Sequence, residues 1–332
     1  MHFSTIVTAN WDSRALHVLT HAKKYHPNAT FSILFLSEGF VHHLPAWITP
    51  YWASDIQLTD LEFYVHTPYE LACAVRPRFL ELLFKTQEFV WLVDADTLFF
   101  KPLPEVPSDY DLYLTPHILY PALLTDNNKD IRILAQHILV GVYNCGIAGY
   151  RRTDATISFL QLLNKILYQN CHRSQNGLFY LDQNWYNLAP QETKVYTIKD
   201  PSINIGPWNL HERNIADATL VHFSGMHNDT VQGFTSTAAL QKLDVYLEYK
   251  KLPSSGPSYN QVSYIQRKAA HFAWKEGTLK SPFSSNPPLP YTADFLLLPS
   301  TSSRYSLLHK ILHPLQAVAR YRQAKQANAA VK

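Results

Sequence analysis

The fold of this 332-residue chain is constrained most by short apolar segments that alternate with helix-like segments near its start. Phe3 to Ala9 is a β-branched run that predicts a strand. From Asp12 to His26 apolar residues recur every three or four positions, which predicts a helix. Phe31 to Leu36 is nearly all apolar, as in a strand covered on both faces of a parallel sheet. This β-α-β unit predicts an α/β domain that binds ligands beyond the carboxyl ends of its strands.

Later segments continue the alternation. Glu70 to Phe84 predicts a helix divided at Pro77, because proline breaks a helix interior but suits a first turn. Phe89 to Val93 predicts a buried strand. The other predicted elements are a strand from Leu139 to Gly149, a helix from Asp154 to Tyr168, a helical turn from Asp182 to Asn187 and a strand from Leu220 to Gly225.

Two carboxylates, Asp94 and Asp96, directly follow the strand Phe89 to Val93. They share a face, because successive side chains of a strand alternate between its two faces. Adjacent carboxylates repel each other unless a cation lies beside them, and hard oxygen ligands suit Mg²⁺ or Mn²⁺. The pattern indicates a divalent-metal site at a strand end. The alternative is a loop in which the aspartates cap the next turn.

The composition indicates the cellular compartment and argues against a secreted or membrane-spanning protein. Cys73, Cys145 and Cys171 show neither C-x-x-C spacing nor an even number, so we expect a reducing compartment. The N-terminus does not resemble a signal peptide and no run of 18 apolar residues occurs, so we expect a cytoplasmic protein without a membrane span. The aromatic content of 13% fits a sugar-binding groove or a tyrosine-rich core.

Six short motifs follow one another between residue 3 and about residue 228. They are Val7-Thr8-Ala9-Asn10, Arg76-Pro77, Asp94-Ala95-Asp96, Asn144-Cys145-Gly146, Asp182-Gln183 and His222-Phe223-Ser224-Gly225. In this order they resemble the motifs of the GT-A glycosyltransferases, most closely the retaining family 8, which includes glycogenin and lipopolysaccharide galactosyltransferases. The resemblance implies a Rossmann-like mixed sheet flanked by helices.

The resemblance also implies an activity and residue roles. The chain would transfer a sugar from a UDP-sugar to a glycan or a lipid-linked acceptor with retention of configuration, using Mn²⁺. Mg²⁺ is less favoured, because it rarely accepts a nitrogen ligand. The implied donor-binding residues are Thr8, Ala9, Asn10, Arg76, Asp94, Asn144, Gly146 and Gly225, the metal ligands are Asp94, Asp96 and His222, and the catalytic pair is Asp182 and Gln183.

Structural alternatives exist for several of these residues. The segment after the first strand could be an ordinary turn capped by Asn10 or Asp12, and Asp182 could be a helix N-cap. Arg76 could be a surface arginine. These alternatives stay open at the level of the sequence.

The sequence departs from the family after its histidine. The family continues from this histidine to a lysine that neutralises the leaving diphosphate, whereas this chain reads HFSGMH over residues 222–227. The candidates to replace that lysine are His211, Arg213 and His227. The departure leaves the retaining stereochemistry open.

Two other function classes compete with a glycosyltransferase. A sugar-nucleotide pyrophosphorylase shares the topology and a metal site, but it has a glycine-rich loop after the first strand. The chain reads TANWDSR there, over residues 8–14, without glycine. A non-catalytic carbohydrate-binding protein is the second alternative, and it does not need an ordered set of carboxylates and histidine.

The composition changes near residue 250, where prolines and serines become frequent. We predict a catalytic domain over residues 1–250 and an extension over residues 251–332, irregular around one helix from Tyr259 to Trp274. Residues 304–332 combine an apolar stripe with basic residues and contain no acidic residue. This basic amphipathic tail predicts either peripheral membrane contact or a helix packed on the domain. Nucleic-acid binding is not expected, because the net positive charge comes from the tail and the rest of the chain is mildly acidic.

Overall fold

The computed structural model describes residues 1–8, 11–36, 44–58, 62, 66–121, 128–172, 180–224, 244 and 251. The elements below belong to one compact unit, Met1–Leu58 with Pro68–Tyr259. A second unit consists of Thr59–Thr67 and Asn260–Lys332, and it is described only at residues 62, 66 and 67. The predicted boundary near residue 250, the helix from Tyr259 to Trp274 and the basic tail lie outside the described residues and stay predictions.

The described elements begin with the β-α-β unit that the sequence predicts, and strands and helices continue to mix along the chain. Three short 3-10 helices, Ala53–Ile56, Gln183–Leu188 and Ile215–Asp217, accompany them. The strands are β1 His2–Val7, β2 Thr30–Phe35, β3 Ile48–Trp52, β4 Phe89–Val93, β5 Thr97–Phe99, β6 Leu112–Pro116, β7 Tyr143–Arg151, β8 Val195–Thr197 and β9 Leu220–His222, and the helices are α1 Asp12–Tyr25, α2 Pro68–Ala74, α3 Arg76–Leu83, α4 Asn128–Val140, α5 Asp154–Asn170 and α6 Ala189–Glu192.

Seven strands form one mixed sheet in the order β3-β2-β1-β4-β7-β6-β8. The first four are parallel, β7 is antiparallel to both of its neighbours, and β8 is parallel to β6. Strands β5 and β9 form a separate antiparallel pair. The predicted α/β class with a mixed sheet flanked by helices is confirmed.

Apolar side chains of α1 and the sheet form the core beside β1. Val18 and Leu19 of α1 are fully buried, as their helical spacing predicts. Phe3 of β1 stacks on Phe31 of β2 with ring centroids 5.8 Å apart, and its edge contacts Phe99. This packing makes the parallel strands a rigid support for the residues at their carboxyl ends.

Most sequence boundaries hold within a few residues, but one element was predicted wrongly. Leu139 and Val140 were placed in a strand, whereas they form the last turn of α4. Gly141 ends that helix with φ +119, a conformation that favours glycine, and β7 starts at Tyr143. The apolar residues on both sides of Gly141, which are Leu139, Val140 and Val142, do not by themselves distinguish the end of a helix from the start of a strand. No helix in the described part of the chain has the length and apolarity to cross a membrane.

Candidate active site

Most of the predicted site residues that the structure describes meet at one edge of the large sheet. Thr8 follows β1 and Asp94 follows β4, so both lie at carboxyl ends of parallel strands. Because β7 runs in the opposite direction, Asn144 at its start reaches the same edge. The backbone N–H of Asp94 donates to the carbonyl of Gly146 at 2.8 Å and joins the two segments.

Asp94, Asp96 and His222 form an oxygen and nitrogen donor set. One ligand atom from each residue lies within 4.8 Å of the others. Nε2 of His222 is 3.2 Å from an Asp96 oxygen and 4.0 Å from an Asp94 oxygen. The pairing of β5 with β9 brings His222 opposite Thr97, and thereby next to a segment far away in sequence.

The hydrogen bonds of His222 fit a metal ligand. Its Nδ1 lies 3.1 Å from the side-chain oxygen of Asn144. That atom must be oxygen, because the backbone N–H of Gly146 donates to it at 2.9 Å. Nδ1 of His222 therefore donates a proton to this oxygen, and a cation held between Nε2 and the two carboxylates would receive the lone pair of Nε2. Two hard oxygen donors and one imidazole nitrogen suit Mn²⁺.

Gly146 leaves the space that the His222 ring and the Asn144 side chain occupy. A Cβ at position 146 would lie 2.1 Å from Nδ1 of His222 and 2.9 Å from the Asn144 oxygen. The group that approaches the Gly146 backbone in the structure is therefore the His222 ring. Contact with a donor sugar at Gly146, which the resemblance implies, stays a prediction.

The charged groups of the site lie close enough together to shift the pKa values of Asp94 and His222. Burial raises the pKa of Asp94 to about 6 despite its contact with Arg76, and the neighbouring Asp96 carboxylate contributes to the rise. Burial lowers the pKa of His222, but the Asp96 and Asp94 carboxylates outweigh burial and raise it above its usual value. The two carboxylates thus favour a positive charge beside them, either on His222 or on a bound cation.

Arg76 is a buried link between carboxylates on two segments. It forms an ion pair with Asp94, a second with Asp182 at 3.0 Å, and donates to the carbonyl of Cys145 at 3.1 Å. Arg76 is 6% exposed, so the surface-arginine alternative is wrong. Its predicted contact with donor phosphates stays a prediction.

Asp182 and Gln183 lie beside Arg76 and Asn144. Asp182 stands at the N-cap position of the 3-10 helix Gln183–Leu188, but its carboxylate makes no capping hydrogen bond there and instead forms an ion pair with Arg76. Gln183 is held at both ends of its amide: its oxygen accepts from the Asn144 amide at 3.1 Å and its nitrogen donates to the carbonyl of Val140 at 3.0 Å. Leu181, just before this pair, has a left-handed backbone with φ 58, which costs free energy in a residue of this type.

Two adjoining cavities open at this edge. One, of about 690 Å³, extends along the end of β1 and includes Thr8. The other, of about 530 Å³, includes Asn144, Asp182 and Gln183. Both cavities are lined by Tyr69, Cys73, Arg76, Asp94, Tyr180, Trp208, His222 and Ser224.

The structure distinguishes between the residues that could replace the lysine of the family. His211 lines the smaller cavity. Arg213 is buried and donates to the carbonyls of Pro116 and Ile203, so it is not available to a phosphate. His227 lies outside the described residues, as do Ala9, Asn10 and Gly225 of the predicted donor-binding set.

Several residues of the site were not found from the sequence. Asn204 contacts the His222 ring, and Trp208 packs its edge against the same ring with centroids 5.3 Å apart. His117 lies next to the amide of Asn144. Asn204 and His117 belong to no motif of the resemblance, and only their positions in the fold reveal them.

The comparisons with known proteins found similarity of fold and no significant similarity of sequence. No family model matches the sequence, and no curated protein matches it significantly. The solved structure of the galactosyltransferase LgtC with donor and acceptor sugar analogues is 12% identical, covers 77% of this chain and 98% of its own, and has a TM-score of 0.47. The bifunctional glycosyltransferase WbbM is 12% identical over 76% of this chain and 50% of its own, with a TM-score of 0.46. Mouse xyloside xylosyltransferase 1 is 11% identical over 68% of this chain and 97% of its own, with a TM-score of 0.40.

Proposed function

We propose that this protein is a metal-dependent glycosyltransferase that uses a nucleotide-diphosphate sugar, of the UDP class, and transfers its sugar to a glycan or a lipid-linked acceptor. The observation that carries the proposal is the Asp94, Asp96 and His222 group, with Nε2 of His222 turned toward both carboxylates. The group borders two cavities at the carboxyl ends of the strands, where open α/β sheets bind their ligands.

In this proposal Asp94, Asp96 and His222 hold Mn²⁺, or less favourably Mg²⁺. The cation supplies positive charge for the departing nucleotide diphosphate. The cavity at the end of β1 takes the nucleotide, with Thr8 in its wall and Ala9, Asn10 and Gly225 as further predicted contacts. Arg76 holds Asp94 and Asp182 in place and adds positive charge beside the diphosphate.

The sugar lies toward the smaller cavity, beside Asn144, Asp182 and Gln183. The acceptor oxygen bonds to the anomeric carbon while the bond from that carbon to the diphosphate oxygen breaks. The acceptor proton leaves with the diphosphate. Because no carboxylate in the described part of the site is placed as a clear nucleophile, we favour attack from the face of the leaving group, which retains configuration. Asp182 and Gln183 orient the donor hydroxyls and stabilise the positive charge that develops on the sugar.

A panel of nucleotide-sugars tests this function. Each is incubated with the protein, with and without Mn²⁺, and release of the nucleoside diphosphate is measured. We expect release from at least one UDP-sugar, in the presence of Mn²⁺ only. Lack of release from every member, with glycan acceptors present, would contradict the proposal and favour a carbohydrate-binding protein. Formation of UTP from pyrophosphate and a UDP-sugar would instead identify a pyrophosphorylase.

The basic tail bears on the acceptor. We propose that residues 304–332 bind anionic lipid and bring the enzyme to a lipid-linked acceptor, since their positive charges accompany an apolar stripe. Sedimentation with vesicles of anionic phospholipid compares the full chain with a chain that ends at residue 303. We expect only the full chain to sediment. Equal sedimentation of both chains would contradict a lipid-binding tail and favour a tail packed on the domain.

A further inference from the structure

We propose that Asn204 is a positioning residue that fixes the tautomer of His222, so that Nε2 presents a lone pair to the metal. The inference rests on the proposed metal role of His222. Asn204 belongs to none of the predicted motifs and touches neither cavity, so its function would lie in the ring that it contacts.

The fold places Asn204 firmly beside His222. The residue is 1% exposed and lies between β8 and β9. Its neighbour Ile205 donates its backbone N–H to the carbonyl of Leu220 at 3.1 Å and accepts from the N–H of His222 at 2.8 Å. The Asn204 backbone is left-handed, with φ 59, a conformation that asparagine tolerates better than most residues.

A chain of hydrogen bonds identifies which end of the Asn204 amide faces the ring. The backbone N–H of Gly146 identifies the Asn144 acceptor as oxygen. The Asn204 atom 2.9 Å from that oxygen must then be the amide nitrogen, which also donates to Thr115 at 2.6 Å. The amide oxygen of Asn204 is therefore the atom that lies 3.1 Å from Nδ1 of His222.

The amide oxygen of Asn204 influences which ring nitrogen of neutral His222 carries the proton. In the neutral ring the proton can sit on Nδ1, between the amide oxygens of Asn144 and Asn204, or on Nε2, where the Asp96 oxygen at 3.2 Å accepts it. The Asn144 oxygen already receives two other N–H groups, from Gly146 and Asn204. Asn204 thus supplies the less occupied acceptor for Nδ1, and without it the carboxylate draws the proton to the metal-binding nitrogen.

The test replaces Asn204 by glycine, because glycine accepts φ 59 without strain while it removes the amide. Nitrogen chemical shifts of the His222 ring are recorded by NMR on the metal-free protein near pH 9, and Mn²⁺ affinity is measured by titration. We expect N204G to shift the tautomer ratio several-fold toward Nε2–H and to weaken Mn²⁺ binding about tenfold, the usual effect of removing a group that orients a ligand.

Two further variants complete the experiment. Asn204→Asp keeps an oxygen in place for Nδ1–H, although it replaces the amide donor to Asn144 and Thr115, so the His222 ring should keep the Nδ1–H tautomer. Asn214→Ala is the matched control: Asn214 lies in the same segment, and its side chain caps the turn at Ala216 away from the ring. Native tautomer ratio and Mn²⁺ affinity in a folded N204G would overturn the inference. Absence of Mn²⁺ binding by the native protein would contradict the proposed function instead.

Discussion

At the scale of single residues, the site depends on how closely the His222 ring approaches the β7 backbone. The ring occupies the space where a Cβ of residue 146 would stand, and its Nδ1 faces the Asn144 oxygen. Glycine at position 146 is thus a packing requirement of the proposed metal ligand. The resemblance assigned Gly146 to donor binding. It did not reveal the contact between Gly146 and His222, because that contact joins residues far apart in sequence.

Replacing Gly146 by alanine should displace the His222 ring. A methyl group there would lie 2.1 Å from Nδ1, so either the ring or the β7 backbone must move. We expect Mn²⁺ affinity to fall at least tenfold, with a loss of about 1–3 kcal/mol in the free energy of unfolding from overpacking. Titration with Mn²⁺ and urea denaturation measure the two effects.

Gly149→Ala on the same strand is the control for this substitution. Its Cβ would lie 2.8 Å from the Trp91 ring, so it also overpacks, but away from His222. The control should lose stability and keep its Mn²⁺ affinity. Equal Mn²⁺ affinities of the two variants would show that the position of the His222 ring does not matter.

The sequence contains a second D-x-D pattern that shows what made the first one informative. Asp109 and Asp111 precede β6, whereas Asp94 and Asp96 follow β4. The Asp111 carboxylate accepts from the hydroxyl of Thr153 and the backbone N–H of Lys194, each at 2.7 Å, and so joins surface segments. The spacing alone does not distinguish the pairs. The pairs are distinguished by their position relative to a buried strand, because open α/β sheets bind ligands at the carboxyl ends of their strands.

At the scale of elements, α3 brings Arg76 to two carboxylates on other segments. Pro77 in the first turn of α3 allows the chain to start a new helix there, as predicted. The contacts of Arg76 with Asp94 and Asp182 could not be predicted, since they depend on where the tertiary structure places the start of α3. The helix α4 was not predicted either, and only its last residues, Leu139 and Val140, belong to the apolar stretch that continues toward β7.

Replacing Arg76 by methionine should strongly destabilise the protein. The change would leave the buried Asp182 carboxylate and the partly exposed Asp94 carboxylate without their partner, and breaking a buried ion pair typically costs about 3–5 kcal/mol. Adding Asp182→Asn to this variant should recover part of the loss, because one unpaired charge is then removed. Urea denaturation of the three proteins measures these differences.

Arg152→Met provides the comparison at the surface. Arg152 pairs with Glu88, and the two side chains are 42% and 71% exposed, so this pair contributes about 1 kcal/mol or less. Similar losses for Arg76→Met and Arg152→Met would contradict a structural role of the buried ion pairs at the site.

At the scale of the whole molecule, the site is assembled from both sheets. Asp94 directly follows β4 and Asn144 lies in β7 of the large sheet, whereas Asp96 directly precedes β5 and His222 ends β9 of the two-stranded sheet. The strand sequences predicted the α/β class and the edge at which ligands bind. Which residues meet there was predicted through the resemblance, and Asn204 was missed because its contact with His222 follows from tertiary structure alone.

The double substitution Asp94→Asn with Asp96→Asn tests the central claim most directly. Turnover of the UDP-sugar selected in the panel is measured in the presence of Mn²⁺, with circular dichroism to verify folding. Asp109→Asn with Asp111→Asn makes the same chemical change in the other D-x-D pattern. The account predicts that the 94/96 variant loses turnover and Mn²⁺ binding while the folded 109/111 variant keeps both. Native turnover in the 94/96 variant would contradict the account.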